Sequence, residues 1–290
     1  QVKSGVEFYG GFAGSETRLD QRDWKTNVTI LDGSSSESVL SLYSAANTTR
    51  IDGFTIRKGI GLNIDRTGGA IYCSNSSPTI ANNIITDNMA DDGAIYCYNS
   101  SPIITNNIIR NTLAFHEASS GYTSGITCYS SSPVIVNNTI VANDGYGIKC
   151  YSTSSPIMAN NIIAFNTRIG LYRETSYAVT LRNNDVYGNP VSNYSGITDP
   201  TGTNGNISVD PLFVNRSAGD LRLASGSPCI DAGSNTDVLT GIVMDLDGNP
   251  RFVNDPATTD TGSGTPPIVD MGAYEFQVAT CNTPQMDTNG

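Results

Sequence analysis

The sequence predicts an all-β fold, a right-handed single-stranded parallel β-helix with about three short strands per rung of roughly 23 residues. Three observations predict it: a strong internal repeat, columns of like residues that alternate in polarity within each repeat, and no helical period between the strands.

The repeat comes first. Gly69-Ala70-Ile71-Tyr72-Cys73 returns as Gly93-Ala94-Ile95-Tyr96-Cys97, then as Ser124-Gly125-Ile126-Thr127-Cys128 and Tyr146-Gly147-Ile148-Lys149-Cys150. Each copy is followed by Ser-Ser-Pro and then by an asparagine pair. The pairs begin at Asn82, Asn106, Asn137, Asn160 and Asn183, spaced by 24, 31, 23 and 23 residues.

Aligned copies give side-chain direction. The column Ile71, Ile95, Ile126, Ile148, Leu171 stays aliphatic and points inward, and Cys73, Cys97, Cys128, Cys150 two positions on does the same. Between them Tyr72, Tyr96, Thr127, Lys149, Tyr172 vary as solvent-facing residues would. A second strand holds Ile80, Ile104, Ile135, Met158 and Leu181 inward, and a third Ile85, Ile109, Ile140, Ile163 and Val186. Strands stacked about 4.8 Å apart place like on like. An asparagine at each bend tolerates the left-handed backbone and can bond to the rungs above and below. Pro after Ser-Ser starts the second strand, where it disturbs the ladder least.

Earlier rungs are less regular. Val6–Tyr9, Val28–Leu31, Val39–Leu42 and Ile51–Ile56 read as strands, with Asp52-Gly53 in place of an asparagine pair. Rungs are expected over residues 1–205, with regular repeats at 69–189. A final rung and an irregular C-terminal cap are expected at 206–280, and 281–290 read as the start of a linker or a truncated calcium-loop-like segment. Gln1 falls at the threshold of a strand and suggests a mature or truncated chain.

Four of the six cysteines share the inward column. Vertical neighbours with parallel Cβ vectors match a disulfide poorly, so these four read as buried free thiols. One column cannot surround zinc tetrahedrally. Cys229 and Cys281 lie nearer the C terminus, and whether they pair stays open.

The formal net charge is −11. A surface of that sign excludes nucleic acid as a partner and repels uronic-acid polymers unless a basic patch or bound cations intervene. No run of residues reaches the length of a membrane helix.

Several longer motifs carry a family resemblance. Phe8-Tyr9-Gly10-Gly11-Phe12-Ala13-Gly14, with Asp20-Gln21-Arg22-Asp23-Trp24, is joined by Asp210-Pro211-Leu212-Phe213 and Ser227-Pro228-Cys229-Ile230-Asp231-Ala232-Gly233. Asp245-Leu246-Asp247-Gly248-Asn249-Pro250-Arg251 and Val269-Asp270-Met271-Gly272-Ala273-Tyr274-Glu275 complete the set. Together they resemble bacterial secreted β-helix surface proteins of the choice-of-anchor type, within the pectate-lyase-like superfamily. The resemblance implies secretion and surface display and no single reaction. The rungs are also similar to repeats of polymorphic outer-membrane proteins.

Chemistry would sit on the outer face of the first strand. Tyr96, Tyr98, Tyr129, Lys149, Tyr151 and Tyr172 form an aromatic face suited to sugar rings; stacked tyrosines that merely stabilise neighbouring strands are the alternative. Loops entering this strand hold Asp65, Arg66, Asp91, Asp92, His116, Glu117, Asp144 and Arg168, and one of them, with the only histidine, is longer than its equivalents by about eight residues. A lyase could draw its base from His116, Lys149 or a tyrosine, with calcium on Asp91, Asp92 and Glu117. A hydrolase could pair Asp92 with Glu117 or Asp144. None of these sets is a motif. Arg173 falls in the thiol column, where the strand is expected to end. Asp245, Asp247 and Asn249 look like a calcium-loop fragment whose pattern fails after Gly248, so a structural turn is expected.

Two functions follow. The first is an extracellular, cell-surface protein without catalysis: an adhesin, a glycan binder or a structural component that associates end to end into filaments. The alternative is a polysaccharide lyase or glycoside hydrolase working along the tyrosine face.

Overall fold

The computed structural model describes residues 1–61, 68–115, 123–174 and 177–278. Three parallel sheets of seven strands wind into a right-handed β-helix. The first sheet stacks Leu40–Tyr43, Ile71–Ser74, Ile95–Tyr98, Thr123–Tyr129, Gly145–Tyr151, Ile169–Arg173 and Ser192–Ser195. The second runs from Glu7–Tyr9 through Arg50–Asp52 and the rungs above to Thr180–Arg182, and the third from Thr29–Asp32 through Phe54–Arg57 to Asp185–Tyr187.

Register puts like on like as expected. Ile95 pairs with Ile71 below and Ile126 above, and Cys97 with Cys73 and Cys128. The aliphatic columns of all three sheets and the thiols make one core, with Ile104, Ile109, Ile140 and Ile163 fully buried. Each such side chain contributes about 1.5–3 kcal/mol by leaving water. Cys73, Cys97, Cys128 and Cys150 are free and buried.

The bends are built on asparagine. Asn82, Asn106, Asn137, Asn160 and Asn183 hold φ between 48° and 56°, a left-handed geometry that asparagine tolerates better than most residues. The next asparagine points inward. Asn83 Nδ2 donates to Asn107 Oδ1 (3.1 Å), Asn107 to Asn138 (3.0 Å), Asn138 to Asn161 (3.1 Å), Asn161 to Asn184 (2.9 Å) and Asn184 to Asn206 (3.1 Å). Each Oδ1 also accepts the backbone N–H of the asparagine one rung below, as in Asn83 N to Asn107 Oδ1 (2.9 Å). Buried backbone polar groups that a bend would orphan are satisfied in this way.

One expected equivalence shifts by a residue. Asp52 stands opposite Ala81, so Gly53 (φ 82°) takes the place of Asn82 and Phe54 the place of Asn83. Phe54 N donates to Asn83 Oδ1 (3.0 Å), which closes the ladder at this end.

A second ladder turns the chain from the third sheet toward the first. Asn143 donates to Asn166 Oδ1 (2.9 Å), Asn166 to Asn189 (3.1 Å) and Asn189 to Asn193 (3.0 Å). The left-handed residue before each bend is Ala142, Phe165 or Gly188. With no recurring partner before it, this ladder made no visible pair.

The C-terminal segment departs from the expected cap. Asn206 ends the inner ladder and Ile207 bridges to Asp185. Beyond it, an antiparallel pair, Phe213–Asn215 with Asp220–Leu223, leads into a strap. The strap lies along the flank of the stack. Asn183 Nδ2 donates to Ala232 O (2.9 Å), Asn160 Nδ2 to Ser234 O (2.9 Å), Asn106 Nδ2 to Met244 O (2.9 Å), and Trp24 Nε1 to Leu246 O (2.7 Å). The reason is apolar surface on the outer side of the third sheet. Ile108, Val141, Ile162 and Ala164 point away from the main core and pack with Leu221, Leu223, Ile230, Leu246, Met271 and Tyr274 in a second one.

Candidate functional site

The first sheet's outer face carries two adjacent columns, and the structure treats them differently. Tyr98, Tyr129 and Tyr151 pair in register, half-buried. Their rings stand 5.4 Å apart and stacked, then 6.2 Å apart and edge-on. This column presents a continuous aromatic strip along the axis.

The neighbouring column was expected to face solvent and does not. Tyr72, Tyr96, Thr127 and Lys149 are at most 9% exposed, and Tyr96 only 1%. Tyr72 and Tyr96 stack on each other at 5.8 Å. The turn before Ile95–Tyr98 folds over the next rung, where the Asp92 carbonyl accepts from both the Thr127 and Ser124 hydroxyls. Alternation along a strand reports which side a residue takes, but not whether a loop then covers that side. Tyr96 is therefore packed inside the face rather than presented on it.

Lys149 is the centre of charge. Its Nζ lies 4.5 Å from the Tyr151 ring centroid and 5.2 Å from that of Tyr146, contacts of the cation–π kind. Burial pulls its pKa below the usual lysine value, and the carboxylates of Asp92 and Glu174 pull it back up. Burial pushes the Tyr151 phenol well above 10, with Asp92, Tyr96 and Glu174 adding to the shift. Tyr151 thus keeps its phenolic proton near neutral pH. Tyr172 stands in register with Lys149, half-buried, with its ring 5.2 Å from Tyr146.

The structure so gathers Tyr98, Tyr129, Lys149, Tyr151, Tyr172 and Asp92 on one face. Tyr146 belongs with them and was missed, because it precedes the recurring Gly-Ile segment and its equivalents are Ser124 and Ile169. Asp144 faces elsewhere in its bonding, accepting from the Thr167 hydroxyl (3.1 Å). His116, Glu117, Asp65 and Arg66 lie outside the described residues, as does Cys281.

Other expectations resolve locally. The strand does end at Arg173, whose guanidinium turns away from the thiol column to donate to the Gly196 and Tyr177 carbonyls. Cys229 is a free thiol donating to Asp185 Oδ2 (3.4 Å). Asp245 Oδ1 accepts from the Asp247 and Asn249 amides (2.9 and 2.8 Å) and Oδ2 from Glu275 N (3.0 Å), so that loop is a structural turn. Among the described residues no group of three or more His, Cys, Asp or Glu is arranged to hold a metal ion. Among them, too, no helix is long and apolar enough to cross a membrane.

A solenoid of three parallel sheets with an aromatic strip on one face defines the class as a parallel β-helix. Residues 38–210 match the family model for the right handed beta helix region, and the chain belongs to that family. Among solved structures, the crystal structure of pectate lyase Pel9A is similar, with a TM-score of 0.46 and 13% identity over 83% of this chain and 69% of that one. No curated protein matches.

Proposed function

We propose that the chain is a non-catalytic glycan-binding protein displayed outside the cell, which takes a neutral polysaccharide lengthwise along Tyr98, Tyr129 and Tyr151. The observation that carries this reading is the in-register column of half-buried rings. Tyrosine offers an apolar body and a polar tip, which fits a sugar ring with its rim of hydroxyls. A neutral polymer fits the charges: the chain carries −11 overall, and Lys149 already faces Asp92 and Glu174. The motifs shared with choice-of-anchor proteins support surface display.

The buried, partly depressed Lys149 favours one second reading, a lyase with Lys149 as base. A polymer-retention and polymer-degradation screen, with and without calcium, separates the two. Binding predicts retention without shortening of the polymer, and a loss of about 5- to 30-fold in affinity for Tyr129→Ala, the range of about 1–2 kcal/mol for one lost aromatic contact. Depolymerisation that disappears in Lys149→Met would overturn the non-catalytic reading in favour of the lyase.

A further inference from the structure

We propose a second carbohydrate site, separate from the tyrosine face, in the cleft where the Trp24 turn meets the strap, and that it takes one neutral sugar unit. The cleft has a volume of about 430 Å³ and is lined by Arg22, Asp23, Trp24, Lys25, Asp247 and Gly248, with Thr26 at its rim. That size suits a small ligand rather than a polymer laid across it. It sits at the corner between the second and third sheets, whereas the tyrosines lie on the outer face of the first.

Two segments more than 200 residues apart in sequence build it. Trp24 Nε1 donates to Leu246 O at 2.7 Å, which ties the turn to the strap. One side of the indole is stacked by the Arg22 guanidinium at 4.6 Å, and Tyr9 takes the same cation at 4.8 Å. Arg22 is further bound to Asp52 at 2.5 Å, so its charge is committed within the wall. Trp24 stays half-buried and lines the cleft, an aromatic surface of the kind that can carry a sugar ring.

Fixed polar groups surround that platform. Asp23 Oδ1 accepts from the Lys25 and Thr26 amides (3.0 and 2.9 Å), which locks the turn, and Asp23 itself stays exposed at the cleft. Asp247 is held by Arg222 through two bonds, at 2.6 and 3.1 Å. Lys25 Nζ is 3.6 Å from Asp247 Oδ2 and its side chain is half exposed, so its ammonium keeps donors for a ligand. Gly248, at φ 75°, has nothing within 4 Å of where a Cβ would stand, so the far wall is open for entry.

The charge pattern selects the ligand class. Arg22 shares Asp52 with Arg50, and Asp247 is held by both Arg222 and Lys25, so the charges in the walls are paired. A free anion must displace a carboxylate from these pairs, and a free cation must displace Lys25 from Asp247. A neutral polyol suffers neither, and its adjacent hydroxyls can donate to Asp23 while accepting from Lys25. Apolar ring faces beside vicinal hydroxyls are the chemistry of a pyranose, and an aromatic platform with a few convergent polar groups is what holds one.

Trp24 is the one tryptophan in the chain, so selectively excited tryptophan emission reports this cleft and not the tyrosine face. The protein is titrated with neutral methyl glycosides of glucose, galactose, mannose and N-acetylglucosamine, with galacturonate and inorganic phosphate as anionic controls. The expected result is a saturable change with at least one neutral glycoside, weakened about 10-fold in Lys25→Ala, the loss of one charge-assisted hydrogen bond. Free Lys25→Ala should keep the parent emission maximum, showing that Trp24 is still seated on the strap. No saturable change with any neutral glycoside at concentrations to about 100 mM, a K25A protein that binds as the parent does, or anions that match the sugars would overturn the proposal. Retention on immobilised polymer is measured separately, so failure here is distinguishable from failure of the tyrosine face.

Discussion

Replacing Asp185 by asparagine should make the fold less sensitive to pH. Asp185 ends the stack of third-sheet strands and is fully buried. Its Oδ1 accepts Val209 N (3.1 Å) and its Oδ2 the Cys229 thiol (3.4 Å). Burial, the largest influence, pushes its pKa from 3.8 up to about 7 against the pull of those two bonds. The folded carboxyl therefore holds its proton more tightly than the unfolded chain does. The stability this contributes is complete below about pH 4 and is lost as pH rises through 7. A rise of that size corresponds to about 4 kcal/mol as a ceiling for one group. In Asp185→Asn the amide oxygen still accepts Val209 N, the amide nitrogen can donate to the Cys229 sulfur, and nothing titrates. Urea unfolding followed by circular dichroism at pH 5 and pH 8 measures the difference. The parent should lose more stability than the variant between those values, by at most about 2.6 kcal/mol because part of the effect is already spent by pH 5, with Asp270 and Glu275, also raised by burial, leaving a common slope in both. Equal losses in parent and variant would refute the reasoning.

Two further outcomes test the core. Asn161→Ala removes the acceptor of the Asn138 amides and the donor to Ile135 O and Asn184, so several buried groups lose their partners and urea unfolding should show a loss of about 2–4 kcal/mol. The thiols of Cys73, Cys97, Cys128 and Cys150 are at most 1% exposed, and burial raises Cys73 to about 12. A colorimetric thiol reagent at pH 8 should leave them unreacted in the native protein and titrate them once urea is added; rapid native labelling at these positions, located by peptide mapping, would contradict the stacked core.

The rungs were legible because their cause is local and repeated. A strand with one buried face writes its register into every second residue, and stacking multiplies the signal: Ile71, Ile95, Ile126 and Ile148 say the same thing four times. The strap had a fainter signature. Ile84-Ile85, Ile108-Ile109 and Ile162-Ile163 are apolar on both faces of a strand, and a strand buried on both sides loses its alternation. Those doublets told of a cover on the third sheet, but not that residues from 221 onward supply it. Contacts such as Trp24 with Leu246 join positions with no shared period, and no pattern in the chain announces them.

The tyrosine face shows the same limit from the functional side. Tyr96 and Tyr98 both point outward from one strand, yet one is enclosed and the other presented, because the turn at Asp92 closes over one column only. In a stack, the inward residues are constrained by identical neighbours above and below, so a change there costs stability through the ladder or the core. Outward residues meet no such requirement, which is why Ser74, Tyr98, Tyr129 and Tyr151 can differ at equivalent positions while Cys73, Cys97, Cys128 and Cys150 do not. Three consecutive tyrosines in a position free to vary bring no benefit to the core beneath them. Their ring-to-ring contacts stabilise the sheet by about 0.2–1 kcal/mol per pair, little beside a core of fully buried isoleucines. On the proposed reading, the strip owes its three tyrosines to a ligand met outside the molecule, and the sheet contacts alone contribute only this small term.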